Sequence, residues 1–238
     1  MSVENVLAEN PFYCRDAGER FLEKESVDLF IGHPPYYQAE LELNGGDPSK
    51  QMQNAQNLEE YYQRLLSSFF HMEWALKPNG SIFLALDNTP IGLNTVGIIT
   101  NLTGLRVQSI RLWSPPKYDS SPDPVATVVF VHLAKRDLAP DIVSKGPFVL
   151  TNSWEEAASE LEQYNQEYAT VGAAPTGIYR EMIQNFSKEG DIVCDLFAGC
   201  GTVQVVALEL GRKFIYNDVS EDKVVMAKKR IEDYKNEA

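Results

Sequence analysis

Short, strongly apolar runs alternate with longer amphipathic segments along this 238-residue chain. The clearest run, Ser26–Gly32, places Val27, Leu29, Phe30 and Ile31 within seven residues, which is typical of a buried parallel strand. The alternation predicts an α/β fold. The predicted strands are Pro11–Cys14, Ser26–Gly32, Ser81–Asp87, Leu105–Trp113, Ala126–Ala134, Ile192–Asp195 and Lys213–Asp218. The predicted helices are Ala17–Lys24, Leu58–Lys77, Asn88–Leu102, Trp154–Tyr168, Pro175–Phe186, Val203–Leu210 and Ser220–Tyr234.

A glycine-containing turn follows one of these strands. The apolar run from Ile192 ends at Asp195, and Gly199 and Gly201 come before the next helix. Glycine adopts backbone angles closed to other residues and has no Cβ, so a flat ligand can lie against the main chain. This pattern predicts a cofactor-binding corner, and a turn that merely uses glycine is the alternative. The next strand ends at Asp218, where nucleotide-binding folds place the acid that holds the ribose hydroxyls.

A double proline marks a second candidate site. His33, Pro34, Pro35 and Tyr36 directly follow the strand Ser26–Gly32. Proline cannot donate a backbone hydrogen bond, so this segment ends the strand and is stiff. Ligands of open α/β sheets bind at the carboxyl ends of strands, which is where this tetrapeptide falls.

A long polar segment covers residues 38–57 and contains the turn signal Asn44-Gly45-Gly46-Asp47-Pro48. Loops of this length inside a compact domain are uncommon unless they are functional or mobile. We interpret the segment as a lid beside the active site; a tolerated surface insertion is the alternative.

Composition favours one globular domain over residues 1–238, because 44% of the chain is hydrophobic. No apolar run is long enough for a membrane span, and the first ten residues lack the features of a signal peptide, so we expect a cytoplasmic protein without a membrane partner. Cys14, Cys194 and Cys200 have no paired spacing, so neither disulfides nor a metal site is expected.

The charge balance is acidic, with 34 acidic and 21 basic residues and a net charge of −13. This charge opposes the general attraction that supplies non-specific nucleic-acid affinity. A nucleic-acid function would therefore need a local basic face, for which Gly104–Leu150 is the candidate; an ordinary mixed surface is the alternative.

Together, His33-Pro34-Pro35-Tyr36 and the segment Asp195–Thr202 resemble two motifs of the S-adenosylmethionine-dependent DNA amino-methyltransferases. Their order, with the catalytic motif first, resembles the permuted β class of that family. The resemblance covers nearly the whole chain and is weakest over residues 101–171. It implies a Rossmann-like methyltransferase fold: a seven-stranded, mostly parallel sheet with helices on both faces and a circularly permuted motif order. It also implies that the strands ending at Asp195 and before His33 are neighbours.

The same resemblance implies roles for single residues. Asp16 would contact the adenine amino group of S-adenosylmethionine, and Asp218 would hold its ribose. Asp195 would end the first strand of the cofactor site, and Phe197 with the turn from Gly199 through Gly201 to Thr202 would form the wall beside the methionine part of the cofactor. Residues 174–177 match a further cofactor-side loop more weakly.

The catalytic tetrapeptide is implied to hold a base that has left the DNA duplex. An exocyclic amino nitrogen is a poor nucleophile, and acceptors for its two hydrogens, the side chain of residue 33 and the carbonyl of Pro34, would favour a tetrahedral nitrogen. Tyr36 would stack on the base. The family usually has Asp, Asn or Ser where this chain has His33. Neutral imidazole has an acceptor nitrogen and imidazolium has none, so we expect turnover to fall as the pH drops through about 6.5.

The expected reaction is methylation of adenine N6 or cytosine N4 in DNA. Methylation of RNA or of a protein amide is an alternative, as is a non-catalytic, cofactor-binding subunit of a DNA-modifying complex. Residues 137–172 are short and acidic for a target-recognition insertion. They favour a short recognition site, a homodimer or a partner subunit.

Overall fold

The computed structural model describes residues 9–38, 51–113, 128–138 and 176–237. Strands and helices alternate through most of this part of the chain. The strands are β1 (Phe12–Tyr13), β2 (Val27–Gly32), β3 (Leu76–Asp87), β4 (Arg106–Trp113), β5 (Val128–Ala134), β6 (Ile192–Asp195) and β7 (Lys213–Asn217). The helices are α1 (Leu58–Ala75), α2 (Pro90–Leu102), α3 (Thr176–Phe186), α4 (Thr202–Glu209) and α5 (Glu221–Glu237), with a short 3-10 helix at Met52–Asn54.

The described strands form one seven-stranded sheet in the order β1-β7-β6-β2-β3-β5-β4. The first five strands in that order run parallel, and β5 and β4 complete the sheet in antiparallel pairs. In the central pair, Leu29 of β2 lies opposite Val193 of β6 and Phe30 lies opposite Cys194. This architecture confirms the predicted α/β methyltransferase-type sheet, including the adjacency of β2 and β6.

Each face of the sheet is covered by helices, as expected when strands are apolar on both sides. One core cluster joins α1 and α2 to the sheet through residues such as Leu65, Phe69 and Ile99. The other joins α3, α4 and α5 through residues such as Ile183 and Val206. Ligand sites are thereby left to the ends of the strands.

The helix predicted at Ala17–Lys24 is wrong: the structure has turns and bends there. The His71 side chain on α1 binds two backbone groups of this segment. Its Nδ1 lies 3.0 Å from the Ala17 carbonyl oxygen, and its Nε2 accepts a hydrogen bond from Leu22 N at 3.3 Å. His71 is therefore a buried packing residue, and burial lowers the pKa of its imidazole.

The boundary between α1 and β3 also differs from the prediction. The helix ends at Ala75, and β3 begins at Leu76 instead of Ser81. Leu76 pairs with Val27 of β2, and an irregularity in the pairing accommodates the extra residues of β3. β3 thus runs through Pro78, Asn79 and Gly80, residue types that usually form turns, while Leu76 is buried against the neighbouring strand.

Two predicted features fall mainly outside the described residues. These are the acidic helix Trp154–Tyr168 and most of the insertion over residues 137–172. Of the predicted lid over residues 38–57, the structure describes residue 38 and residues 51–57. Within the described ranges, none of the helices has the length and apolar character that crossing a membrane requires.

Candidate functional site

The carboxyl ends of β2 and β6 bring the two sequence motifs together. Gly32, the last residue of β2, lies against the residues that end β6. A Cβ built on Gly32 would be 3.4 Å from the Phe197 ring and 3.7 Å from Asp195 Oδ1. The tetrapeptide that begins with His33 therefore starts directly beside the turn that follows Asp195.

The glycine turn, residues 199–202, has the backbone geometry that its sequence predicts. Gly199 has φ +50° and Gly201 has φ +79°, a left-handed region that other residues rarely adopt. A Cβ built on Gly199 would meet no atom of the described residues within 4 Å, so these residues leave open space beside it. The Tyr216 hydroxyl donates to the Gly199 carbonyl at 2.7 Å, and Gly201 N donates to the Ala198 carbonyl at 2.8 Å. These hydrogen bonds therefore hold the backbone of the turn, and the turn is open at Gly199.

Two carboxylates border this turn. Asp195 Oδ1 accepts from Phe197 N at 2.8 Å, and the two oxygens of Asp218 accept from Gly199 N and Ser220 N, both at 2.9 Å. Burial raises the pKa of Asp195 to about 8, and the charge of Asp218 adds to the shift. Burial also raises the pKa of Asp218, although its backbone hydrogen bonds oppose this. A nearby positive charge would lower the pKa of both carboxyl groups and favour their ionised forms.

Asp16 follows β1, the strand that pairs with β7. Its Oδ1 accepts from Gly18 N at 2.8 Å, and the residue is exposed. The backbone here is fixed by Asn217, whose Oδ1 accepts from Arg15 N at 3.1 Å and whose Nδ2 donates to the carbonyls of Arg15 and Leu196. Asn217 thus joins the loop after β1 to the loop after β6.

The tetrapeptide 33–36 forms the other side of the site. Nε2 of His33 and the hydroxyl oxygen of Tyr36 are 2.6 Å apart. Pro34 is buried, and the Pro35 carbonyl accepts from the Tyr61 hydroxyl at 3.1 Å. The chain that leaves the tetrapeptide is held by a hydrogen bond from Gln38 N to the Gln53 carbonyl at 3.1 Å, so residues 38 and 53 are close in space.

Burial raises the pKa of the Tyr36 hydroxyl, and the negative charge of Asp87 raises it further. Asp87 is half-buried at the end of β3, the strand next to β2. Burial also raises the pKa of Tyr61, and the charge of Asp87 adds to that shift. Tyr36 is therefore a protonated phenol with a carboxylate in its neighbourhood.

Sequence reasoning missed Tyr216, Asn217 and Asp87 as site residues. Asp87 could have been found, because an acid at the end of a strand next to β2 must share an edge with His33. Asn217 gave a weaker signal, as a polar residue inside an apolar strand. The Tyr216 hydroxyl gave no signal in the sequence, because the pattern of an apolar strand does not show which acceptor a tyrosine hydroxyl will contact.

Two of the cations in the described part of the candidate basic face lie next to carboxylates. Arg106 forms an ion pair with Asp137 at 2.8 Å, and both side chains are exposed. Lys135 lies 4.0 Å from a carboxylate oxygen of Glu25.

His132, on β5, is a packing residue: it stacks on Phe83, and burial lowers its pKa to about 4. Within the described ranges no cluster of three or more His, Cys, Asp or Glu side chains could hold a metal ion.

Comparison with known proteins identifies the family. Residues 27–229 match the N6/N4 methyltransferase family model, described as DNA methylase, so the chain belongs to this DNA methylase family. It is a methyltransferase that uses S-adenosylmethionine and acts on amino groups of DNA.

Curated relatives agree over most of their length. The chain is 24% identical to the type II methyltransferase M2.DpnII of Streptococcus pneumoniae over an alignment 243 positions long, which covers 90% of this chain and 86% of the relative. It is 26% identical to the type II methyltransferase M2.LlaDCHI of Lactococcus lactis subsp. cremoris, with 95% of this chain and 93% of the relative covered.

Solved structures share the fold. The PvuII DNA methyltransferase (cytosine-N4-specific) superposes with a TM-score of 0.69 at 18% identity, covering 96% of this chain and 92% of that one. A putative DNA modification methylase from Thermus thermophilus, complexed with S-adenosyl-L-methionine, superposes with a TM-score of 0.64 at 17% identity, covering 94% of this chain and 95% of that one.

The residues of the corner fit S-adenosylmethionine. This molecule has a sulfonium cation, an ammonium group, ribose hydroxyls and an adenine amino group, which are positive charges or hydrogen-bond donors. The corner offers the carboxylates of Asp16, Asp195 and Asp218, together with the open space at Gly199. An ionised carboxylate accepts about four hydrogen bonds, so Asp218 can accept more than its two from the backbone.

Proposed function

We propose that this chain is a site-specific DNA methyltransferase that modifies adenine N6 or cytosine N4 of a base rotated out of the duplex. The closeness of Gly32 to Phe197 and Asp195, which an added Cβ would approach to 3.4 Å and 3.7 Å, is the observation that carries this proposal. It supports a site in which a base held by the tetrapeptide 33–36 faces a cofactor held by the glycine turn. The target atom of a base is not accessible inside a duplex, so the base must first leave the stack.

On the base side, His33 accepts one hydrogen of the target amino group and the Pro34 carbonyl accepts the other. Tyr36 stacks on the base, and Pro35 keeps the tetrapeptide stiff. Holding both hydrogens favours a nitrogen whose lone pair points towards the methyl group that S-adenosylmethionine supplies when bound. The lone pair would form the new bond to the methyl carbon as the carbon–sulfur bond of the sulfonium breaks and its electron pair stays on sulfur. One N–H proton would then pass to neutral His33 or to water. Catalysis of this kind depends mainly on positioning.

On the cofactor side, Asp218 holds the ribose hydroxyls and Asp16 contacts the adenine amino group. The methionine part lies along Phe197 and the glycine turn, with Gly199 and Gly201 allowing close approach of the backbone. Thr202 begins α4 at the end of this turn. Asp195 places a carboxylate near the positive charges of the cofactor, which favours its ionised form.

We further propose that residues 38–57 form a lid over the base and that residues 137–172 form a short target-recognition insertion within a single domain over residues 1–238. The hydrogen bond from Gln38 N to the Gln53 carbonyl supports the lid, because it places both ends of the segment between these residues next to the tetrapeptide. The net charge of −13 supports a homodimer or a partner subunit that supplies further DNA contacts. A cytoplasmic location is consistent with a DNA substrate.

Radiolabelled S-adenosylmethionine offered with duplex DNA, transfer RNA and cell-lysate protein tests the reaction. We expect label in DNA only, and sequencing of modified bases in that DNA then separates adenine from cytosine and gives the recognition site. Label in RNA or protein alone contradicts the DNA specificity. Absence of transfer, with S-adenosylhomocysteine still bound in a calorimetric titration, would indicate a non-catalytic subunit.

A further inference from the structure

Arg230 is a buried cation that reaches the glycine turn from α5. Only 7% of its surface is exposed. Its Nη1 donates to Thr202 Oγ1 at 2.8 Å and lies 3.2 Å from Cys200 Sγ and 3.4 Å from the Cys200 carbonyl oxygen. A guanidinium stays charged in proteins, and hydrogen bonds from a charged donor are stronger than neutral ones. One side chain therefore holds two residues of the turn.

The same face of α5 packs on the turn at a second point. A Cβ built on Gly201 would lie 3.1 Å from the Ala227 Cβ, so helix and turn are in close contact there. Ala227 and Arg230 are three residues apart and share one face of the helix. Lys223, four residues before Ala227, is also buried, and its charge lowers the pKa of Asp218 against the effect of burial. The turn is thus packed against α5 at Gly201 and open at Gly199.

We propose that Arg230 is a positioning residue of the cofactor site: its bridge to Cys200 and Thr202 holds the glycine turn in the shape that receives S-adenosylmethionine. This inference rests on the proposed placement of the cofactor at the turn. The physical reason is preorganisation. Two left-handed residues in three positions allow the free turn several shapes, and a ligand that must select one of them binds more weakly.

The test compares Arg230→Met and Arg230→Lys with wild type and with Lys229→Met. Lys229 is the adjacent, exposed cation of α5, so its variant makes the same change of charge away from the turn. In calorimetric titrations with S-adenosylhomocysteine, we expect about tenfold weaker binding for Arg230→Met, because two turn acceptors lose their charged donor. Arg230→Lys keeps the charge but not the forked geometry of the guanidinium, so its affinity should lie between those of wild type and Arg230→Met. Lys229→Met should bind S-adenosylhomocysteine with wild-type affinity.

Kinetics separate positioning from a general structural role. For Arg230→Lys we expect a raised KM for S-adenosylmethionine, with kcat at saturating cofactor and KM for DNA close to wild type. A merely structural residue would lower the folded fraction, and with it the apparent kcat, without changing the KM for the cofactor. Thermal unfolding without ligand reports the folded fraction of each variant.

Thr202→Val supplies a second test if Arg230→Met folds poorly. It removes one acceptor of the bridge from the other side, so the combined loss of affinity in Arg230→Lys/Thr202→Val should be smaller than the product of the single losses. The inference is overturned if both Arg230 variants bind S-adenosylhomocysteine as Lys229→Met does, or if the single losses multiply independently.

Failure of the positioning role of Arg230 can be distinguished from failure of the proposed DNA methylation. A wild-type protein that binds S-adenosylhomocysteine but labels no DNA contradicts the proposed reaction and leaves the Arg230 comparison intact. A wild-type protein that methylates DNA, with Arg230 variants of unchanged affinity, contradicts the positioning role alone.

Discussion

Nε2 of His33 and the hydroxyl oxygen of Tyr36 are 2.6 Å apart, so the first and fourth residues of the tetrapeptide 33–36 are joined by a hydrogen bond. The phenol is protonated, because burial and the nearby charge of Asp87 both raise its pKa. It can therefore donate to Nε2 when the imidazole carries its proton on Nδ1. A target amino group that uses Nε2 as its acceptor has to displace this hydroxyl.

Tyr36→Phe should retain most activity, whereas Tyr36→Ala should not. The phenylalanine ring keeps the stacking surface and removes the competing hydroxyl, so we expect a single-turnover rate within about threefold of wild type. Alanine removes stacking worth about 1–3 kcal/mol per base, which corresponds to a loss of about tenfold to a hundredfold in affinity for the flipped base. Rapid-quench methylation assays and DNA binding measure the two effects. Equal losses in both variants would contradict stacking as the main role of the ring.

His33→Ser should change the pH dependence of methyl transfer. Imidazolium has no acceptor nitrogen, so the wild-type single-turnover rate should fall as the pH decreases through the range in which His33 becomes protonated. Serine keeps an acceptor oxygen at every pH and should remove this dependence between about pH 5.5 and 8, around the ordinary histidine value of about 6.5. Identical pH profiles for the two proteins would remove His33 from the acceptor role.

Gly199→Ala should fold and lose the cofactor. Its φ of +50° disfavours alanine by roughly 1–2 kcal/mol, which lowers Tm by about 2–4 °C per kcal/mol in a chain of this size. The added methyl group meets no atom of the described part of the chain within 4 Å and occupies the open space where the cofactor is proposed to lie. We expect at least about tenfold weaker binding of S-adenosylhomocysteine in calorimetry, consistent with a steric clash of more than about 1.4 kcal/mol.

Gly190→Ala is the matched control for this prediction. Gly190 has φ +84° and the same open surroundings, but it precedes β6 at the opposite end of the strand. It should show a similar decrease in Tm and wild-type affinity. Equal affinity in the two variants would place the cofactor elsewhere.

Asp195→Asn should stabilise the cofactor-free protein as the pH rises. The folded-state pKa of Asp195 is about 8, above the unfolded value of about 3.9. Between these values the folded chain retains a proton that the unfolded chain releases, so the wild type loses stability as the pH rises through this window. Asparagine cannot ionise and can still accept from Phe197 N. The difference in Tm, variant minus wild type, should therefore grow from about pH 4 to about pH 8 and then level off.

Thermal unfolding without cofactor over that pH range measures the difference. Asp233→Asn, an exposed acid of α5, controls for the loss of one negative charge. A constant difference between Asp195→Asn and wild type would show that folding does not raise the pKa of Asp195 above its unfolded value. The same variant should bind S-adenosylhomocysteine more weakly, since a neutral amide attracts the cofactor's ammonium group less than a carboxylate does.

The strands that carry the site were predictable because their sequences are short apolar runs that end in a chemically distinctive residue. β2 ends before a double proline, β6 ends at Asp195, and β7 is followed directly by Asp218. Hydrophobic burial alone selects these segments as strands. Their adjacency was implied by family resemblance, since two runs so far apart in sequence contain no signal that says which edges will pair.

The parts that sequence did not reveal depend on side chains from distant elements. The segment 17–24 has helical spacing, yet it forms turns and bends, and His71 binds two of its backbone groups. Arg230 looks like one more cation on an amphipathic helix until packing places it against Cys200 and Thr202. Such contacts follow from the assembled fold, not from local propensity.

The pairing of β2 with β6 means that the site is completed late during synthesis. Ile192 donates to the side chain of Asp28, 164 residues earlier in the chain, at the start of this strand pair. A ribosome that has released the tetrapeptide 33–36 must add most of the remaining chain before β6 can cover the open edge of β2. Until then a nascent chain carries the tetrapeptide without the glycine turn, and the edge of β2 that β6 later covers stays unpaired and open to pairing with other chains.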